Sequence, residues 1–315
     1  MRVSHRTNLL WGLVVLAVGL IVLLQALDFI PAGVSDVLSR SWPLLLVLAG
    51  LSILLRDRVR FGSLIALVIS AALLAGVVTS AFSNRATQIR SDYQTALNES
   101  VAPGINLLRV RVAALSTDVE IVRSLTARTI TGQFIGSSES LLQTTYNEPG
   151  DGAADLTISE TQPNQFPFLE AIGRGTFRLE LPASVPLDIE FTGDQGTLIL
   201  NMDGLSLERL NMDLKQGDAV VSLPEYQPLG STGDAILGTL VVRDGNITVR
   251  VPTAVAARFA LNRGGSSSQP VYDPQLYNYL VGDILEARNF DSAAIKVRYA
   301  LTAPRGLLTV ESTPA

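Results

Sequence analysis

The sequence contains no cysteine, one histidine, two tryptophans and only two lysines, Lys215 and Lys296. Without cysteine there is neither a disulfide nor a thiolate metal site, although a cysteine-free chain is tolerated on either side of a membrane. The single histidine, His5, lies near the N-terminus, outside any domain the pattern suggests. A histidine general base and a multi-histidine metal centre are therefore both excluded. No G-x-S-x-G elbow and no S-x-x-K pattern occurs, which removes the familiar serine hydrolases. The formal net charge of −5 argues against a nucleic-acid partner, because a phosphate-binding surface needs a basic excess.

What the chain has instead is apolar length and repetition. Its 315 residues suggest two domains, and the hydrophobic excess is concentrated before residue 83. The first apolar run, over about 9–30, carries no charge from Leu9 to Leu24 and has Trp11 as an interfacial anchor, so it reads as a membrane span. The second, 42–55, covers only roughly 21 Å at a helical rise, so it either spans by recruiting residues from about 38 onward or dips in and returns. Ser41 suits its cap and Pro43 its first turn. The third, 61–82, is long enough unaided. Its Ala66/Ser70, Ala71/Ala75 and Ala72/Gly76 pairs put small residues four apart, which lets another helix approach. Arg2 and Arg6 precede the first run, and Arg56, Arg58 and Arg60 crowd the link between the second and third. The positive-inside rule places both in the cytoplasm, and three crossings leave the rest of the chain outside.

Residues 84–104 are polar, end in Pro103-Gly104 and read as a linker. From residue 105 to 315 the pattern is β. Strands begin irregularly with LLRVRVAAL and TDVEIV, and then one motif returns: GTFRLELP from Gly175, GTLILNM from Gly196, GDAVVSLP from Gly217 and GNITVRVP from Gly245. The glycines are 21 (196 − 175), 21 (217 − 196) and 28 (245 − 217) residues apart, a period typical of stacked supersecondary units. Within each copy the second, fourth and sixth residues after the glycine are apolar, as in Leu198, Leu200 and Met202. Such alternation is a strand with one buried face. Glycine serves the turn, and proline ends the strand because it has no N–H for a ladder. Residues 306–310, GLLTV, form a fifth, divergent copy. The expected architecture is a three-helix membrane region over residues 1–83, followed by an all-β, β-solenoid-like repeat domain in which each repeat buries its apolar face on the next.

The block GLVVLAVGLIVLLQAL…SWPLLLVLAGLSILL resembles the LiaI/LiaF-type transmembrane region of bacterial envelope proteins. The stretch LPASVPLDIEFTGDQGTLILNMDGLSLERLNMDLKQGDAVVSLPE…VVRDGNITVRVP resembles the adhesin-like toastrack β repeat that follows that region in LiaF-like proteins. The resemblance implies a multi-pass bacterial plasma-membrane protein that modulates a two-component system sensing envelope stress by restraining a membrane histidine kinase. It carries over no catalytic residue and no cofactor. The chain departs from the pattern in having three apolar runs where relatives often have four.

The remaining motifs have plain readings. Gly193-Asp194, Gly217-Asp218, Gly233-Asp234 and Gly245-Asn246 are too far apart for the nonapeptide repeat of a calcium roll, and turn chemistry accounts for them. The carboxylate pairs Asp188/Glu190 and Glu208/Asp213 could in principle serve as the acid pair of a glycosidase, yet alternation sets them on a solvated strand face. Tyr272, Tyr277 and Tyr279 sit beside a surface excursion at 263–275. They read either as a contact surface or as rings covering the open end of the stack. The expected function is non-enzymatic regulation through contact with a sensor kinase, with the lipid bilayer and self-association through helices as further partnerships. The alternatives are an adhesin-like structural module and, more remotely, a polysaccharide-active β-helix.

Overall fold

The computed structural model describes residues 91, 93–136, 140–161, 175–229, 235–262 and 269–313. All belong to the second of two compact units, Ile89–Ala315. The three apolar runs and the Arg56, Arg58 and Arg60 link lie outside the described residues.

Alternation of apolar and polar side chains produces strands throughout this unit. In chain order they begin with β1 (Tyr93–Ser100), β2 (Leu107–Ala114), β3 (Thr117–Arg123), β4 (Thr129–Gly136), β5 (Leu141–Asn147) and β6 (Ala153–Thr161). The repeats follow as β7 (Gly175–Leu181), β8 (Leu187–Gln195), β9 (Leu198–Asn201), β10 (Leu207–Gln216), β11 (Ala219–Ser222), β12 (Thr239–Asp244) and β13 (Ile247–Pro252). Then come β14 (Val255–Asn262), β15 (Tyr277–Leu280), β16 (Ile284–Ala287), β17 (Ile295–Thr302) and β18 (Leu308–Thr313).

Two sheets share these strands. One has eight, in the order β1-β4-β7-β3-β9-β11-β13-β18, and the other has ten, in the order β15-β16-β14-β17-β12-β10-β8-β2-β6-β5. From β7 to β14 the chain alternates between them, so each coil lays one strand in each sheet, and the coils pair in parallel. This is the solenoid-like repeat domain. Its core is built of side-chain rows running along the stack. One row is Leu179, Ile121, Leu200, Val221, Val249 and Val310. The facing sheet supplies Ile158, Val112, Phe191, Met212, Leu240, Leu301 and Leu261. All are buried, and each such side chain contributes about 1.5–3 kcal/mol relative to exposure.

The corner where the repeat begins explains the glycines. The ideal Cβ of Gly217 would fall 1.8 Å from the Gly196 carbonyl oxygen, that of Gly245 1.9 Å from Gly217 O, and that of Gly306 1.7 Å from Gly245 O. Gly196, Gly217 and Gly245 have φ of +133°, +131° and +143°. Space and conformation both require glycine there.

The expectation that successive repeats stack on one another holds from Gly196 through Gly245 to the fifth copy at Gly306, but not for the Gly175 copy. There β3 lies between β7 and β9, with Thr117 in register with Gly175. The chain lays down the β2–β3 coil first, adds β6–β7 outside it, and then returns to the other side with β8–β9. The opposite end mirrors this: β14 pairs outside β17, although it precedes it in the chain. Antiparallel strands close both sheets at one end, β1 and β4 in one and β5 in the other, but only the ten-stranded sheet at the opposite end, through β15 and β16. Residues 93–100, read from the sequence as linker, are the strand β1. They pair with β4 through the backbone, while only Leu97 is buried, so the side chains give little periodic signal.

Candidate functional site

Of the carboxylates considered for acid–base chemistry, Glu190, Glu208 and Asp213 are occupied locally. Asp213 accepts two hydrogen bonds from Arg243, at 3.0 and 2.6 Å, which hold its carboxyl below the usual range. Glu190 lies 3.6 Å from Arg111, and Asp188 is in register with Arg109. Glu208 is the extra residue of a bulge between Leu207 and Arg209, and accepts Tyr226 Oη–H at 2.6 Å and Leu229 N–H at 2.9 Å. Burial, followed by that carboxylate, raises the Tyr226 phenol. The bulge was legible only as a spacing of three, Leu207 to Leu210, in a run that otherwise alternates.

The Gly-Asp and Gly-Asn turns work across coils. Asp218 Oδ1 accepts Asn246 N–H at 2.8 Å and Asn246 Nδ2–H at 3.0 Å, and Asn246 Oδ1 accepts Leu307 N–H at 2.9 Å. Asp118 does the same for Thr197 N–H at 2.7 Å. Asp194, by contrast, pairs with Lys215 at 2.7 Å, and Gly233-Asp234 lies outside the described residues. Among the described residues no group of three or more His, Asp or Glu side chains is arranged to hold a metal ion.

The three tyrosines meet at the β14–β16 end. Tyr277 is buried on β15, Tyr272 is half-buried against the core, and Tyr279 is exposed. The Tyr272 and Tyr279 rings stack with centroids 6.3 Å apart and planes 16° apart, and Tyr279 Oη–H donates to Asp283. Burial pushes the Tyr277 phenol up to about 12. Of the exposed large apolar side chains, Val271, Leu276, Tyr279, Leu280 and Val281 all belong to this end. An open groove of about 670 Å³ runs beside them, bounded by Tyr272, Asp273 and Leu276 on one side and β18 on the other. A second feature here went unread in the sequence. Buried Phe290 carries Arg258, Arg298 and Lys296 around its ring at 4.3, 5.3 and 5.9 Å, and Arg258 also pairs with Glu286. Cation–π packing of this kind pins the 288–293 turn to β14 and β17.

Residues 10–89 match the LiaF transmembrane domain family. No curated protein matches the chain. Among solved structures, a candidate cell adhesion protein from Clostridium sporogenes ATCC 15579 is similar at a TM-score of 0.55 and 15% identity, covering 70% of this chain and 100% of that one. Candidate adhesins from Bacteroides fragilis NCTC 9343 and Parabacteroides distasonis ATCC 8503 each reach a TM-score of 0.22 at 11% identity, covering 72% and 71% of this chain and 100% and 99% of theirs. Those scores carry no argument. The transmembrane match makes this a membrane protein, and the Clostridium structure shares the fold of its β domain. The first block thus matches the LiaF transmembrane domain that its resemblance implied, and the second shares its fold with an adhesion-protein structure.

Proposed function

We propose that the protein is a non-enzymatic regulator of a cell-envelope stress two-component system, acting by contact with a membrane histidine kinase. The observation that carries this reading is the LiaF transmembrane domain at 10–89, followed by an adhesin-like β domain. In this reading three helices, over about 9–30, 38–55 and 61–82, cross the bacterial plasma membrane, with the N-terminus and Arg56, Arg58 and Arg60 in the cytoplasm and the β domain outside. The small-residue pairs of the third helix offer a close-packing surface to kinase helices or to a second copy. Contact regulates only if it favours one kinase state, and a tenfold bias needs about 1.4 kcal/mol of differential affinity.

The test is recovery of the tagged full-length protein from gently cross-linked native membranes, with mass spectrometry of its companions. A histidine kinase should be recovered specifically, and lost when residues 1–83 are replaced by an unrelated anchor. Recovery of wall or surface components alone would overturn the kinase reading.

A structural, adhesin-like envelope module is the second reading. Its support is the name of the Clostridium fold neighbour, at an identity of 15% that carries the fold only. It predicts that deleting the gene leaves stress-response transcription unchanged.

A further inference from the structure

β18 is the last strand of the eight-stranded sheet, and among the described residues one position covers its outer edge. Val271 makes a parallel bridge there: its N–H donates to Leu308 O and its C=O accepts Val310 N–H, both at 2.8 Å. The next rung would be made by Asp273. Its carbonyl is instead taken by Leu276 N–H at 3.1 Å and Tyr277 N–H at 3.0 Å, and the chain turns away. In a parallel ladder alternate residues face opposite sides. Ile247 N–H reaches Leu307 O and Thr253 N–H reaches Thr313 O, so the odd positions of β18 face β13. Val310 C=O and Ser312 N–H therefore face outward, and no described residue bonds them.

These outward-facing groups look into the groove of about 670 Å³. Its wall offers apolar contact through Val271 and Leu276, which are 49% and 41% exposed. Among the described residues its charges have one sign: Asp273 and Glu311 line it and no Lys, Arg or His does. Arg250 approaches Glu311 at 3.1 Å from β13, whereas among the described residues the Asp273 carboxylate accepts only a neutral donor, Gln275 N–H at 2.8 Å.

We propose that the outer edge of β18 is a peptide-binding site, which takes an extended, positively charged segment of a partner protein as an added parallel strand continuing the ladder begun by Val271. Main-chain bonds to Val310 and Ser312 supply affinity, and a lysine or arginine of the segment meets Asp273. A second copy of this chain is the poorer occupant, because two such edges would set Asp273 and Glu311 against the same carboxylates. The inference stands whether or not the protein regulates a kinase.

The experiment uses full-length protein in detergent micelles and three fluorescein-labelled decapeptides. One alternates valine and lysine, one alternates valine and glutamate, and one is the lysine peptide N-methylated at every residue, which blocks both of its edges. Anisotropy should show the lysine peptide binding at least about tenfold more tightly than the glutamate peptide, with the N-methylated one unbound. Hydrogen exchange at the Ser312 amide should slow when the lysine peptide is present. Ser312→Pro removes the one N–H at issue at an edge position where proline is tolerated, and should abolish binding without moving the melting temperature. The proposal is overturned by no binding at about 1 mM, by equal binding of any two peptides, by unaltered exchange at Ser312, or by full binding to S312P. It is also overturned if the peptide-free protein is a dimer that S312P dissociates, since a second copy would then occupy the edge.

Discussion

The carboxylate of Glu160 accepts a 2.6 Å hydrogen bond from the backbone N–H of Leu115, forty-five positions earlier in the chain. The same oxygen takes Ser116 N–H at 3.1 Å, and the Ser116 and Ser140 hydroxyls complete the shell. Glu160 is only 4% exposed, yet no cation accompanies it in this shell. It serves the β2–β3 corner, where no glycine turn is available and two backbone donors would otherwise be buried unpaired. Glu160→Ala leaves those donors orphaned and should lower unfolding free energy by about 3 kcal/mol. Glu160→Gln, which keeps an acceptor oxygen, should cost less. Chemical denaturation followed by the β-sheet circular dichroism signal measures both, and equal losses for the two variants would contradict the account.

At the glycine corner the expected effect follows from the backbone. Gly217→Ala sets a methyl group 1.8 Å from Gly196 O in a conformation of φ +131°, so the coils must part there. A loss of about 3 kcal/mol is expected. Gly150 also has positive φ, +87°, but nothing lies within 4 Å of its ideal Cβ. Gly150→Ala should therefore cost only about 1 kcal/mol, from the backbone alone. Matching melting temperatures for the two variants would show that the close approach is unimportant.

The repeats were legible because their information is local. Leu198 and Leu200, Ala219 and Val221, Ile247 and Val249, and Leu308 and Val310 all face the core as the alternation required. Coil order was not legible, because placing β3 between β7 and β9 depends on pairing across some sixty positions, as between Thr117 and Gly175. Nor was the edge at β18. Val271 bridges it with one residue inside a stretch whose Gly, Ser and Pro composition describes only a surface loop. For the tyrosines the sequence left two readings open. In the structure Tyr277 is covered and Tyr279 lies at the surface.

Alkali should unfold the β domain through its tyrosines. Burial pushes Tyr277 up to about 12 from an ordinary 10.0, and also raises Tyr299 and Tyr226. Each folded-state value lies above the unfolded one, so the neutral phenol is what the fold favours. That stability is complete below pH 10 and is lost as pH climbs through the folded value. Tyr277 alone accounts for about 2–3 kcal/mol across this window. Tyr277→Phe should move the alkaline unfolding midpoint upward, although its packing is nearly unchanged at neutral pH. A midpoint that stays put would mean that the ring ionises without unfolding the end of the stack.

Arg56, Arg58 and Arg60 carry the last prediction, because the side of the membrane on which the β domain acts depends on them. Only Arg40 interrupts the link between the first and second runs, whereas three arginines fall within five residues between the second and third. Basic residues in short loops are retained on the cytoplasmic side. An alkaline phosphatase fused after residue 315 should thus be active, since that enzyme works only outside the cytoplasm. Replacing all three arginines with asparagine should lower its activity at unchanged protein level, as a fraction of chains inserts the other way. The second run makes the outcome informative: at roughly 21 Å it is shorter than a hydrocarbon core of about 30 Å. If it turns back instead of crossing, the wild-type fusion will be inactive and a fluorescent protein at the same position will report from the cytoplasm. The β domain would then meet a kinase on its catalytic side, and a direct response to the outer envelope would be excluded.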